Sequence, residues 1–240
     1  MTQLLTTLLQ KIDEPAARYA DLERYYSGTQ PLAFLSPEAQ TALGDRFGRM
    51  ASNIPRLAVT SLTERLRVTG FTGVDVWADW LRCDMDQESA SAHREALLLG
   101  ASYVIVWADR LGRPKVTVES AKQMACVRDP GTRTITAAIK RWETDITTEA
   151  VLYLPNEIVR YRANATGATT NGFKVVETLA NPLGVVPVVR LLNSDRILDE
   201  GVSEIEDLKP LCDGLNKALA DMMVSSEYVG RPRRWASVSS

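Results

Sequence analysis

The segment EALLLGASYVIVW, from Glu95 to Trp107, contains the change of period that decides the fold. Up to Leu99 the apolar residues keep helical spacing, which predicts a helix over Ser89–Leu99 ended by Gly100. From Ala101 onward the pattern alternates, as in a strand with one covered face. Tyr103–Trp107 and Val116–Val118 flank Asp109–Pro114, a run of turn formers, and this predicts a hairpin. The mostly apolar run from Ala96 to Ala108 is too short to span a bilayer and is broken by Gly100.

Downstream, strands are predicted at Met124–Arg128, Thr134–Glu143, Thr148–Tyr153, Ile158–Arg162 and Phe173–Thr178. Asp129-Pro-Gly-Thr132 is a tight turn, and the polar tip from Asn164 to Gly172 is expected to be mobile. Leu183–Val189 closes the sheet region, with Pro187 marking an edge or a strand end. Upstream, residues 2–26 have a helical pattern that Pro15 divides, and Gly28 suits a left-handed cap. A helix is expected to start at Ser36-Pro37-Glu38 and continue through Phe47. Another, over 53–68, sets Leu57, Val59, Leu62 and Leu66 on one side. Val74–Arg82 is a short amphipathic helix carrying Trp77 and Trp80, with Asp86 as the cap of the next. Helices followed by an antiparallel β meander make the fold class α+β.

The last quarter, Gly201–Trp235, returns to helical spacing. Ile205, Leu208, Leu211, Leu215, Ala218, Leu219 and Met222 form an apolar stripe. Ser203 and Glu206 have capping-box spacing, Pro210 requires a kink or a fresh helix start, and Gly230 with Pro232 gives a stop. The opposite face carries Asp213, Asn216, Lys217, Asp221 and Glu227, followed by Arg231, Arg233 and Arg234.

The 240 residues carry 28 Lys and Arg against 30 Asp and Glu, and a net charge of -2 argues against tight binding to DNA phosphates. Cys83, Cys126 and Cys212 are widely spaced and odd in number. That pattern fits neither a disulfide framework nor a metal pair and implies a reducing compartment. The start has no basic n-region, so a soluble intracellular protein is expected. Asp84 and Asp86 lack the glycine and later ligands of an EF-hand. A single histidine, His93, would have to serve any triad or imidazole metal site alone. No phosphate loop, G-x-S-x-G, H-E-x-x-H or paired C-x-x-C is present, so no catalytic, metal or cofactor site is expected. Asn164-Ala-Thr166 matches a glycosylation acceptor without any sign of secretion. The five tryptophans are expected in the core or at subunit contacts rather than stacked on bases.

Several stretches, in order, resemble the portal proteins (head-to-tail connectors) of tailed bacteriophages, in the subgroup common among siphophages and prophages. They are Tyr25-Tyr-Ser-Gly28, the N-x-x-R-L-x-V-x-x-L-x-x-R-L-x-V-x-G-F of Asn53–Phe71, and residues 95–106. Asp129–Thr132, Ala138-x-Lys-x-Trp142, Leu152-Tyr-x-Pro155 and Asn181–Val189 follow. The G-x-S-E-I of Gly201–Ile205, L-x-D-x-L-N-K of Leu211–Lys217 and R-P-R-R-W of Arg231–Trp235 complete the series. The resemblance implies a mainly helical wing part over 1–100, an antiparallel wing part over 101–192 and a stem-like helix over 201–235. The family's clip, second stem helix, tunnel loop and crown have no counterpart, which implies a truncated or degenerate chain. The tail after Trp235 also lacks the family's usual glycine. The partners implied are other copies in a ring, usually of twelve, the terminase large subunit, major capsid and scaffolding proteins, and a head-completion adaptor. Double-stranded DNA passes through without sequence readout, and no membrane is involved. The implied location is the capsid vertex of the virion, with assembly in the host cytoplasm.

Within that resemblance, Asp213, Asp221 and Glu227 are expected to face the channel and repel the duplex, while Leu208, Leu215 and Met222 pack against neighbours. The alternative for the three acids is a solvated face with no specific task. Arg231, Arg233 and Arg234 are expected to meet either phosphates or an acidic neighbour. The competing functions are a motif-less hydrolase, which needs two facing buried acids, and a binding or scaffold module unrelated to phages.

Overall fold

Most of the helices and strands form where the apolar period lets one face be covered. The computed structural model describes residues 2–32, 51–109 and 111–230. The helices are α1 (Thr2–Asp13), α2 (Ala16–Ser27), α3 (Ile54–Thr63), α4 (Trp77–Arg82) and α5 (Met85–Leu99). Eight strands follow: β1 (Ala101–Ala108), β2 (Pro114–Ser120), β3 (Met124–Arg128), β4 (Ile135–Glu143), β5 (Thr148–Tyr153), β6 (Glu157–Ala163), β7 (Lys174–Ala180) and β8 (Val188–Leu192). A single 3-10 turn, Glu206–Leu208, leads into α6 (Lys209–Gly230). The fold is α+β, with its strands antiparallel throughout. The helix expected from Ser36 to Phe47 lies outside the described residues.

The strands divide between two sheets, ordered β2-β1-β8 and β3-β4-β5-β6-β7. Only the second is an uninterrupted meander. β8 returns across the whole meander to pair with β1, Val104 opposite Val189, a long-range closure that no local signal announces. The tip between β6 and β7, expected to be mobile, is tied down: the Thr148 hydroxyl donates to the Ala165 carbonyl (2.8 Å) and the Gly167 N–H donates to the Glu143 carboxylate (3.1 Å).

α1 lies on one face of the meander. Its Leu5, Leu8, Leu9 and Ile12 are buried among Ala125, Ile139, Ala150, Leu152 and Val159, and each contributes about 2 kcal/mol of apolar burial. The other core joins Tyr19, Leu22 and Tyr25 of α2, Val59 of α3 and Leu97–Leu99 of α5 to Tyr103, Ile105, Cys126, Val188, Ile205 and Cys212. Pro15 separates α1 from α2, and Gly28 ends α2 with φ 68°.

Two helical expectations are corrected. α3 is only 10 residues long and docks through Pro55, Val59 and Thr63, a strict i, i+4 row. Leu57, Leu62 and Leu66, expected beside Val59, are therefore exposed. Asp86 does not cap α5. The chain turns tightly after α4, which puts Asp84 at the cap position with φ 56° and no side-chain cap bond, and Asp86 falls inside the first turn.

Gly100 and Gly201 cross at van der Waals contact. A Cβ on Gly100 would sit 2.7 Å from the Gly201 carbonyl carbon, and one on Gly201 would overlap the Gly100 carbonyl oxygen. Both residues hold positive φ, 93° and 108°. Hydrogen bonds lock the crossing: the Asn193 N–H donates to the Gly100 carbonyl (2.9 Å), Val202 N–H to Asn193 (2.8 Å) and Glu204 N–H to Leu97 (3.0 Å). Gly201→Ala is expected to lower unfolding free energy by roughly 2 kcal/mol or more in chemical denaturation, through strain and overlap with backbone. Gly214→Ala, inside α6 with open space around it, is expected to raise it by about 0.5–1 kcal/mol.

Candidate functional site

The family-like terminal helix begins as Pro210 dictates: the 3-10 turn ends at Leu208, and α6 opens at Lys209 with the proline in its first turn. The expected capping box is corrected. The Ser203 hydroxyl accepts from the Ile205 N–H (3.1 Å), whereas Glu206 reaches forward to Lys209 (2.7 Å). Ser203 is itself held by the Leu97 carbonyl, so its hydroxyl serves the linker's docking onto α5 instead of the helix end.

The phase of α6 also differs from the expected stripe. Its buried residues are Cys212, Asn216 and Ala220, an i, i+4 row continuing from Ile205. Leu211 (68% exposed), Leu215 (39%), Met222 (59%) and Val229 (77%) form a ridge that none of the described residues covers. The buried row consists of two small side chains and one amide, and the amide is satisfied where it packs: the Asn216 side-chain oxygen accepts from the Ser52 N–H at 2.8 Å. Over the second half of α6, a length of about 15 Å, none of the described side chains beyond Ala220 is buried and Val224 is half-buried.

A polar clamp holds the root of this helix to α2. The Tyr25 hydroxyl is 2.8 Å from both carboxylate oxygens of Asp213 and donates to that group. Lys209 Nζ binds Asp21 (3.0 Å) and Glu206 (2.7 Å) and lies 5.9 Å from the centre of the Tyr25 ring. Asp21 also accepts from Arg24 at 2.8 Å. The Arg24 hydrogen bond outweighs burial, and with Lys209 it holds the Asp21 carboxyl below the usual range. Burial opposes the charge on Lys209, but Glu206 and Asp21 more than offset it and raise its pKa. Burial, then Asp213, pushes the Tyr25 phenol upward, so it stays a donor.

Of the residues singled out from sequence, Asp213 is thus half-buried and engaged with α2, and Asp221 is exposed and ion-paired with Lys217 one turn back. Position 227 lies in the second half of α6, and Arg231, Arg233 and Arg234 lie outside the described residues. The structure therefore separates Asp213 from Asp221 by role. Sequence reasoning missed Tyr25, Asp21 and Asn216; the Y-Y-S-G motif contains Tyr25, but its partner is 188 positions away.

Among the described residues no group of three or more His, Cys, Asp and Glu is placed to hold a metal ion. His93 sits within α5, and Cys126 and Cys212 are buried free thiols. No described helix is long and apolar enough to cross a membrane. The arrangement is that of a docking element: a body, a clamp and a helix with an exposed ridge.

The comparison with known families gives that element its context. The family described as "Phage portal protein, SPP1 Gp6-like" matches residues 6–237, nearly the whole chain. The chain belongs to the phage portal protein family, whose members are structural and not enzymatic. No curated protein matches the chain.

Tyr25→Phe is expected to cost about 1–2 kcal/mol, read by denaturation, because it strands the Asp213 carboxylate without its donor. The Asp21 contribution is present above the ordinary carboxylate pKa and is lost as pH falls through its depressed native value. The Lys209 contribution is present below the ordinary lysine pKa and is lost as pH rises through its raised one. The difference in unfolding free energy between wild type and Lys209→Met should therefore be flat from about pH 5 to 9 and shrink only beyond that window.

Proposed function

We propose that this chain supplies a wall segment of a portal ring at a phage capsid vertex, through which double-stranded DNA is packaged and ejected. In this reading the body, 1–192, is the wing and α6 the stem-like helix; copies of the chain close a ring, a dodecamer. The terminase large subunit, major capsid and scaffolding proteins and a head-completion adaptor dock on that ring, and the virion vertex is its site.

The observation that carries the reading is the state of α6: its apolar ridge is uncovered among the described residues, and neither of its lysines is free. Leu211, Leu215, Met222 and Val229 lie along one line at helical spacing, as a helix destined to pack against another copy requires. Lys209 is bound by Asp21 and Glu206, and Lys217 by Asp221. A phosphate passing this helix meets no unpaired ammonium to grip, and the acids at 221 and 227 disfavour a resting position. We assign the channel-facing role to Asp221 and Glu227. Asp213, engaged by Tyr25, contributes mainly by setting the angle at which α6 leaves the body. Arg231, Arg233 and Arg234 either meet phosphates at the exit of this helix or pair with an acidic neighbour.

Leu211→Asp/Met222→Asp in the full-length protein is expected to give folded subunits that fail to form rings, read by light scattering and electron microscopy. Rings forming at wild-type yield would remove the ridge from the assembly. Asp221→Lys/Glu227→Lys should leave rings intact and reduce packaged DNA per head; unchanged packaging would reject the sliding role of these acids.

A further inference from the structure

A cavity of about 350 Å³ opens where the α1–α2 bend meets β3 and β8, far along the chain from the residues the portal role uses. Three cationic side chains line it, Lys11, Arg18 and Arg190, with Glu14 and Glu200 as the carboxylates and Tyr103 and Cys126 among the deeper residues. Lys11 is exposed at the rim and, against the effect of burial, joins Arg190 and Arg128 in holding the Glu200 carboxyl below its usual range. Arg18 has one weak bond, Nη2 to the Leu99 carbonyl at 3.4 Å, and lies 5.5 Å from the Tyr19 ring centre.

Arg190 is the unusual member. Its side chain is only 10% exposed, and its Nε is buried with no hydrogen-bond partner. Its one anionic partner is Glu200 at 2.7 Å, whose own side chain is 73% exposed. A buried guanidinium normally has every N–H satisfied and a counter-charge held as firmly as itself. Here the counter-charge reaches in from a solvent-facing segment just before Gly201. α1 ends and α2 begins at this cavity, so the negative end of one helix meets the positive end of the other and the three cationic side chains supply the net positive field.

We propose that this cavity is a phosphate site, taking the group from inorganic phosphate or from a mononucleotide, with Arg190 as the floor, Lys11 and Arg18 as the rim, and Glu200 as the internal carboxylate that the bound phosphate displaces. Phosphate takes the place of the Glu200 carboxylate on Arg190, while the Glu200 main-chain carbonyl stays hydrogen-bonded to Arg190 and the crossing beyond it keeps its own bonds. The site is independent of the ring reading and stands or falls separately from it.

The test is calorimetric and phosphorus-NMR titration of the chain with inorganic phosphate and, separately, with a deoxynucleoside monophosphate, at constant ionic strength in chloride. Saturable binding of phosphate is expected, weakened roughly tenfold in Lys11→Gln/Arg18→Gln, whose exposed positions leave the fold intact by circular dichroism. Glu200→Gln should bind more tightly than wild type, because it removes the competing carboxylate. Tighter binding of the mononucleotide would assign the nucleotide as source, and equal or weaker binding the free ion. Absence of saturation in wild type, or equal affinity in the double variant, overturns the site. Unchanged or weaker binding by Glu200→Gln overturns the displacement.

Discussion

The contact between Gly100 and Gly201 is the constraint on which the remaining structure depends. At this point a helix becomes a strand and the chain, after eight strands, comes back to begin its last helix. Two backbones can meet so closely only where neither carries a Cβ and both accept a left-handed turn. Because the crossing is backbone to backbone, with amides at Asn193, Val202 and Glu204 tying it down, it has little freedom to shift. The start of α6 is therefore fixed relative to α5 and both cores before any side chain of α6 is considered.

The Tyr25–Asp213 and Lys209–Asp21 contacts act at the next level. They are polar and only partly buried, so their net contribution is modest compared with the apolar cores. What they supply is direction, since a short hydrogen bond to a tyrosine ring and an ion pair on the adjacent turn define one rotation and one tilt for the helix. A purely apolar seam of Cys212 and Ala220 would tolerate sliding. In the proposed ring, this division would let stability reside in the body while the terminal helix leaves it at a repeatable angle.

Much of the fold could be read from local pattern. The strands from Met124 to Ala180 were legible because alternation and turn residues such as Asp129-Pro-Gly are local signals. The boundaries at Pro15, Gly28, Gly100 and Pro210 were legible because proline and glycine act on their own backbone. The errors concern which face is covered. Leu57, Leu62, Leu211 and Met222 were expected inward because they are apolar, yet the buried positions are Val59, Cys212, Asn216 and Ala220. An apolar residue need not be buried within its own chain, and periodicity alone does not show which of two apolar faces the chain itself covers.

The amino-acid order alone determined the α+β class, the breaks at Pro15, Gly28, Gly100 and Pro210, the portal kinship carried by motifs spread over most of the chain, and the want of recognisable catalytic motifs. Those properties depend on residues close in sequence, where spacing and backbone preference act directly. Only the tertiary structure decided that the strands form two sheets, that Asp213 belongs to a clamp while Asp221 faces solvent, and that Arg190 is buried beside a cavity. Each of those depends on partners tens to hundreds of positions apart, such as Tyr25 with Asp213, and chain spacing does not encode which distant surfaces will meet.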